Sequence, residues 1–175
     1  MTSTSDPAGL PRFLAGRHPT QISMNVPDLV AGVRAWSALL GRDDWSVYSY
    51  DAQNTEGLTY RGEPGEFAIR LALCGSAPQI ELVETLRGPN IYTEWIEAHG
   101  YGMHHLGYHV EDVEAAIASF RADGFEPIQT GFHYGLDGDG GFAYYEIPAV
   151  DPIVVEVIEV PRRRKPSETL PGLHT

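Results

Sequence analysis

The chain has 175 residues, room for one medium domain or two small fused units, and its 42% hydrophobic content excludes wholesale disorder. Lys and Arg number 12 against 24 Asp and Glu, a formal net charge of −12. A surface that acidic repels phosphate backbones, which argues against nucleic acid as a partner.

Residues 1–17 read as an N-terminal arm without the basic and apolar segments of a signal peptide. A strand is expected over 20–26, then a helix over 28–40. Asp28 caps that helix, Leu29, Val33, Trp36 and Leu40 recur at helical spacing, and Gly41 stops it. Strands follow near 45–51, 57–62, 66–74 and 79–85, with the single cysteine, Cys74, at the end of an apolar strand. One cysteine allows neither an internal disulfide nor a Cys-x-x-Cys knuckle. A linker over 90–100 carries a short helix, Ile91 to Ala98. A strand over 104–110 leads into a helix over 112–122, capped by Asp112, and then strands near 126–134, 141–147 and 153–160. Gly135 to Gly141 has the composition of a hairpin loop, without the strand-to-helix setting of a phosphate cradle or the full ligand spacing of a calcium loop. Residues 161–175 form a tail, whose Arg162, Arg163, Arg164 and Lys165 read as a solvated terminal run. No stretch approaches the ~18 apolar residues of a membrane span, so a cytoplasmic protein with no membrane partner is expected.

The chain holds one unit twice. Gln21 to Val33 matches His105 to Ile117 at an offset of 84, with Val26 on Val110 and Asp28 on Asp112, and Ile80 to Glu84 matches Val155 to Glu159 at an offset of 75. Each half reads β-α-β-β-β, 18–85 and 103–160, and together they form one domain over 18–160. Neither half has core enough to stand alone, so the two are expected to share a curved sheet with the helices outside, an α+β fold.

Strand alternation decides which side chains share a face. Gln21, Ser23 and Asn25 point away from the first helix, and His105, Gly107 and His109 away from the second. Glu81 and Glu156 sit inside apolar closing strands, where a buried carboxylate needs a partner. Gln21 and His105 are repeat equivalents, as are Glu81 and Glu156, and a pseudo-twofold would bring all four to one point. One imidazole, two carboxylates and one amide oxygen suit a divalent ion with open positions. Around them, His109 and Asn25 are candidates for substrate contact, Arg70 for an anionic substrate group or a salt bridge, and Tyr145 for the inward member of the Tyr144–Tyr145 pair. His104 is expected on the opposite side.

The paired units, the NVPDL and HVEDV turns, GMHHLGYHV, QIELVE and IVVEVIE resemble the vicinal oxygen chelate superfamily, the glyoxalase, bleomycin-resistance and dioxygenase proteins, over about residues 18–160. The stretch from Tyr92 to Val110 looks most like the methylmalonyl-CoA epimerase branch. The resemblance implies an incomplete mixed β-barrel, a homodimer, and a metal held by Gln21, Glu81, His105 and Glu156. That branch usually carries His where this chain has Gln21, but a zinc-using glyoxalase I has Gln, Glu, His and Glu in this order.

The implied reaction is that of an epimerase, isomerase or lyase. Zn, Ni, Co, Mn or Mg would stabilise an enolate beside a carbonyl, with Glu156 as the base and Glu81 on the opposite face. The expected partner is a small-molecule carbonyl substrate, including an acyl-CoA. Two alternatives are a metal-free binding or resistance protein of the same fold and an iron dioxygenase, the latter disfavoured because only one His is available.

Overall fold

In the computed structural model, residues 9–76, 78–168 and 170 are described. The elements run β1 (Gln21–Asn25), α1 (Leu29–Leu40), β2 (Ser46–Tyr50), β3 (Glu56–Tyr60), β4 (Glu63–Pro64), β5 (Ala68–Cys74) and β6 (Gln79–Arg87). Then come α2 (Ile91–His99), β7 (Gly102–Val110), α3 (Val113–Ala122), β8 (Gln129–Tyr134), β9 (Gly140–Glu146) and β10 (Val154–Glu159). The helices begin where local chemistry puts them. Asp28 accepts from the Ala31 amide and Asp112 from the Ala115 amide, each satisfying an amide of the first turn that has no helical partner. Gly41 ends α1 at φ 63°, a left-handed conformation that glycine adopts without a side-chain clash.

The described strands form one curled mixed sheet in the order β2-β5-β6-β1-β7-β10-β9-β8-β3-β4. The two repeats supply β2-β5-β6-β1 and β7-β10-β9-β8, related about the antiparallel β1–β7 seam. Within each repeat the first and last strands run parallel, β1 with β6 and β7 with β10. One element leaves its repeat. The β3–β4 hairpin, from the first half, pairs with β8 of the second. The five residues between β2 and β3 therefore join opposite edges of the sheet, which forces it to curl into a half-barrel. Helices α1 and α3 cover the outside. Leu29 and Val33 pack on Met24, Ala72 and Leu82, and Val113, Ile117 and Phe120 on Ala143, Tyr145 and Val157. No helix of the described residues is long and apolar enough to cross a membrane.

The first and last described segments pack against this body. Phe13 lies 5.7 Å from Phe120 and Arg12 pairs with Asp123. In the tail, Arg162, Arg163 and Lys165 are exposed, as expected of a solvated run, while Arg164 is half-buried; beyond them Ser167 donates its amide to the Val47 carbonyl, and Leu170 is buried beside α1.

The registers explain how bulky polar residues fit at the centre. Ser23 lies between Glu81 and His105 in one cross-strand row, and Gly107 between Gln21 and Glu156 in the next. Ser23 and Gly107 are repeat equivalents, so each row has a small residue flanked by two long ones. Gly107 has no slack, because a Cβ there would sit 2.8 Å from Gln21 Oε1 and 2.9 Å from Ile158 Cδ1. Gly107→Ala is expected to overpack the floor and cost about 1–3 kcal/mol, measured as a shift in urea midpoint. An unchanged midpoint contradicts this packing.

Candidate metal centre

Four adjacent central strands, β6, β1, β7 and β10, each deliver one polar side chain to the concave face: Glu81, Gln21, His105 and Glu156. All four are buried. His105 Nε2 lies 3.1 Å from Glu81 Oε2 and 3.0 Å from Glu156 Oε2. These contacts are close, yet none of the three atoms has a hydrogen bond of good geometry. Gln21 Oε1 is likewise buried without a partner, while its Nε2 donates to Gln79. Imidazole and carboxylate atoms that converge within 4.8 Å of one another form a group able to hold a metal ion. The chemistry of the set fits a divalent ion: with the imidazole unprotonated, four buried acceptor atoms lack donors, and two of them belong to carboxyl groups.

The electrostatics follow from burial and mutual charge. Burial pushes the Glu156 carboxyl up, and the nearby His105 charge opposes that rise. Burial also pushes the His105 imidazole down, but Glu156 and then Glu81 override it and hold the group at about 9. Burial first, then the His105 charge, holds His104 well below the ordinary histidine value, so it is neutral. Its Nδ1 lies 2.9 Å from His105 Nδ1. A neutral His104 accepting there makes His105 donate from Nδ1, which turns the Nε2 lone pair toward the acids once that nitrogen is unprotonated.

His104 thus occupies a place that alternation did not give it. A register shift in the β1–β7 pairing sets Met24 opposite Met103 and Ser23 opposite His105, leaving His104 as an extra residue. The bulge turns its ring against Trp95, Tyr92 and Tyr144 rather than to the opposite side.

The other candidates are placed as follows. Tyr145 is a correction: its ring stacks on Phe120 at 4.0 Å beneath α3, and Tyr144 is the inward member of the pair. Arg70 projects from the convex face, where Glu84 at 2.7 Å and Glu168 at 3.2 Å hold it, so it does not reach the site. Asn25 is buried at the far end of β1 without a hydrogen bond to its amide and does not line the hollow. His109 is half-buried, and burial, followed by the Arg164 charge, holds it below the ordinary histidine value.

The hollow beside the four residues has a volume of ≈ 40 Å³ and an apolar lining that includes Ile69, Leu71, Leu73, Phe142 and Ile158. That volume admits about three water-sized groups. Sequence reasoning missed its polar rim. Tyr144 and Tyr92 share a 2.6 Å hydrogen bond, and burial, then Glu156, pushes both phenols well above the ordinary tyrosine value. Tyr50 and Arg164 also line the hollow. The available signal for Tyr144 was its register opposite Glu156, which only the β9–β10 pairing reveals.

Residues 20–145 match the family described as the Glyoxalase/Bleomycin resistance protein/Dioxygenase superfamily. The chain belongs to that superfamily. Solved structures with the same fold include a Streptomyces coelicolor methylmalonyl-CoA epimerase variant in complex with 2-nitronate-propionyl-CoA, 20% identical at a TM-score of 0.54, covering 86% of this chain and 99% of that one. A methylmalonyl-CoA epimerase from Mycobacterium tuberculosis is 19% identical at a TM-score of 0.50, with 92% and 94% covered. A hypothetical protein from Bacillus halodurans is 19% identical at 0.53, with 86% and 99% covered. No curated protein matches the chain.

Metal-free protein should lose stability on the alkaline side. The folded imidazole of His105, at about 9, lies above its unfolded value of 6.5, so its contribution is complete below pH 6.5 and vanishes as pH rises through about 9. Urea midpoints measured in chelator from pH 6 to 10 are expected to fall more steeply for wild type than for His105→Gln. Parallel curves contradict the assignment.

Proposed function

We propose that this protein is a divalent-metal-dependent epimerase, isomerase or lyase that moves a proton at a carbon beside a carbonyl group. The supporting observation is the charge balance of the hollow: two buried carboxylates face one imidazole, and protonating the imidazole offsets only one negative charge. A divalent ion offsets both. Gln21 Oε1, Glu81 Oε2, His105 Nε2 and Glu156 Oε2 would hold it. When bound, the ion would supply Lewis acidity to the substrate's carbonyl oxygen.

The chain's own residues carry the proton. Burial raises the Glu156 carboxyl above the ordinary carboxylate value in the ion-free site, the direction that strengthens a carboxylate as a base. Glu156 would accept the proton on one face of the substrate through the carboxyl oxygen that the ion does not hold, and Glu81 would return one on the other face through its own second oxygen. The Tyr92–Tyr144 pair positions Glu156, and the apolar lining of Ile69, Leu71 and Phe142 excludes bulk water from the reacting carbon. The epimerases of like fold are solved with acyl-CoA ligands, which supports a thioester or related carbonyl compound as substrate. We place the enzyme in the cytoplasm and expect a homodimer.

A second reading has one observation in its favour. His105, held charged between Glu81 and Glu156, can partly neutralise the hollow without an ion, as a metal-free binding protein of this fold would require. Two measurements separate the readings. Cobalt(II) is expected to bind wild type at one equivalent per chain. With methylmalonyl-CoA as the probe, the loaded protein is expected to exchange the α-hydrogen for deuterium, and Glu156→Gln to slow this by about 10²-fold or more. Cobalt binding with full exchange in Glu156→Gln refutes the base assignment, and absence of cobalt binding favours the second reading.

A further inference from the structure

The hollow beside the four central residues is too small for the reaction proposed for it. Its ≈ 40 Å³ holds about three water-sized groups. In an α-proton transfer the reacting carbon, its substituent, the carbonyl carbon and the carbonyl oxygen already exceed that, before anything joined to the carbonyl is counted. A cleft of ≈ 160 Å³ lies next to the hollow, walled by residues that include Tyr48, Ser49, Asn54 and Leu136. Among the described residues, only Tyr50 and Arg164 line both spaces, so these two side chains form the partition.

The two halves of the partition are held differently. Tyr50 is fixed: it pairs with Ile69 of β5, and its ring meets Tyr134 edge-on at 4.9 Å. Arg164 belongs to the tail, whose residues 161–168 cross from the β8–β9 loop to the edge strand β2. Arg162 on Asp139 at 2.7 Å, Arg163 on Asp137, and the Leu136 amide donating to the Arg163 carbonyl fasten one end. Ser167 fastens the other, donating its amide to the Val47 carbonyl at 2.8 Å while its Oγ accepts the Ser49 amide at 2.9 Å. Between these points, among the described residues, the backbone of Arg164 and Lys165 makes no hydrogen bond, and Pro166 has no amide hydrogen to give. Arg164 is therefore kept in place by its side chain. The guanidinium lies 4.9 Å from the Tyr48 ring centroid and hydrogen-bonds the Tyr50 phenol. Each contact is modest by itself, and both partners are carried on a strand that stays paired with β5 when the arginine leaves.

We propose that Arg164 is a gate between the hollow and the cleft. Latched on Tyr48 and Tyr50, it seals the hollow. Released, it swings out with the loosely held stretch of tail, and the two spaces become one. The reacting unit of the substrate then sits beside Glu81 and Glu156, and the remainder lies in the cleft against Tyr48 and Asn54. The place given to the substrate rests on the proton-transfer reading above. The Asp137 and Asp139 loop is the anchor from which the gate swings.

Access to the hollow is read by iodinating the full chain in chelator and following Tyr144 and Tyr145 by peptide mass spectrometry. Tyr144 lines the hollow and not the cleft, whereas Tyr145 is buried beneath α3 and reports general loosening of the fold. Arg164→Ala is expected to speed modification of Tyr144 by about tenfold or more, as loss of both latch contacts implies for a local opening, and to leave Tyr145 unchanged. Arg164→Lys should fall between wild type and Arg164→Ala. Tyr48→Leu, which removes only the ring against the guanidinium, should give a smaller rise in the same direction. A Tyr144 rate equal to wild type in Arg164→Ala overturns the gate, as does a rise that Tyr145 shares. Neither the ion nor the reaction takes part in this measurement, so a failure of methylmalonyl-CoA to exchange its α-hydrogen bears on the proton-transfer reading and not on the gate.

Discussion

Two carboxylates buried around one imidazole set the terms for the rest of this structure. Bringing Glu81 and Glu156 within 3.1 Å and 3.0 Å of His105 Nε2 inside an apolar sheet is costly unless the charges are balanced. The surrounding parts serve that balance. The bulge in β7 brings in His104 to hold the His105 ring, the tyrosine pair sits beside Glu156, and glycine at 107 clears the space over which Gln21 reaches. A hydrophobic replacement of the group would be easier to bury, so its retention in the core points to chemistry rather than stability.

Duplication explains how so polar a cluster assembles from distant segments. Each repeat contributes one carboxylate from its closing strand and one polar side chain from its opening strand, and the antiparallel seam between β1 and β7 brings the two contributions together. The halves then diverge. The first offers an amide where the second offers an imidazole, and only the second carries the bulge and the tyrosine pair's Tyr144. The first half also gives up its β3–β4 hairpin to the other side of the sheet. The resulting centre is chemically lopsided, with an amide on one side of the seam and an imidazole on the other.

The fold and the four central residues were legible because period-2 alternation and the internal repeat are both carried by contiguous sequence. Gln21, Glu81, His105 and Glu156 could each be assigned a face without knowing which strands pair. What failed depended on pairing or on a break in alternation. His104 lies at a bulge, which shifts phase without a glycine to mark it. Tyr144 and Tyr145 are adjacent aromatics whose order is fixed only by the β10 register. For Arg70, on the outer face of an apolar strand, the salt-bridge expectation holds, with Glu84 on the neighbouring strand as partner, and only the substrate contact fails. The destination of the β3–β4 hairpin and the course of the tail rest on contacts made far along the chain. A run of four basic residues gives no hint that one of them turns inward.

The central claim is that these four side chains form one coordination sphere. Crystals soaked in manganese(II), with diffraction recorded at its absorption edge, test it directly. A single anomalous peak enclosed by Gln21, Glu81, His105 and Glu156 is expected, lost in His105→Ala. No peak there, or one that persists in His105→Ala, contradicts the account.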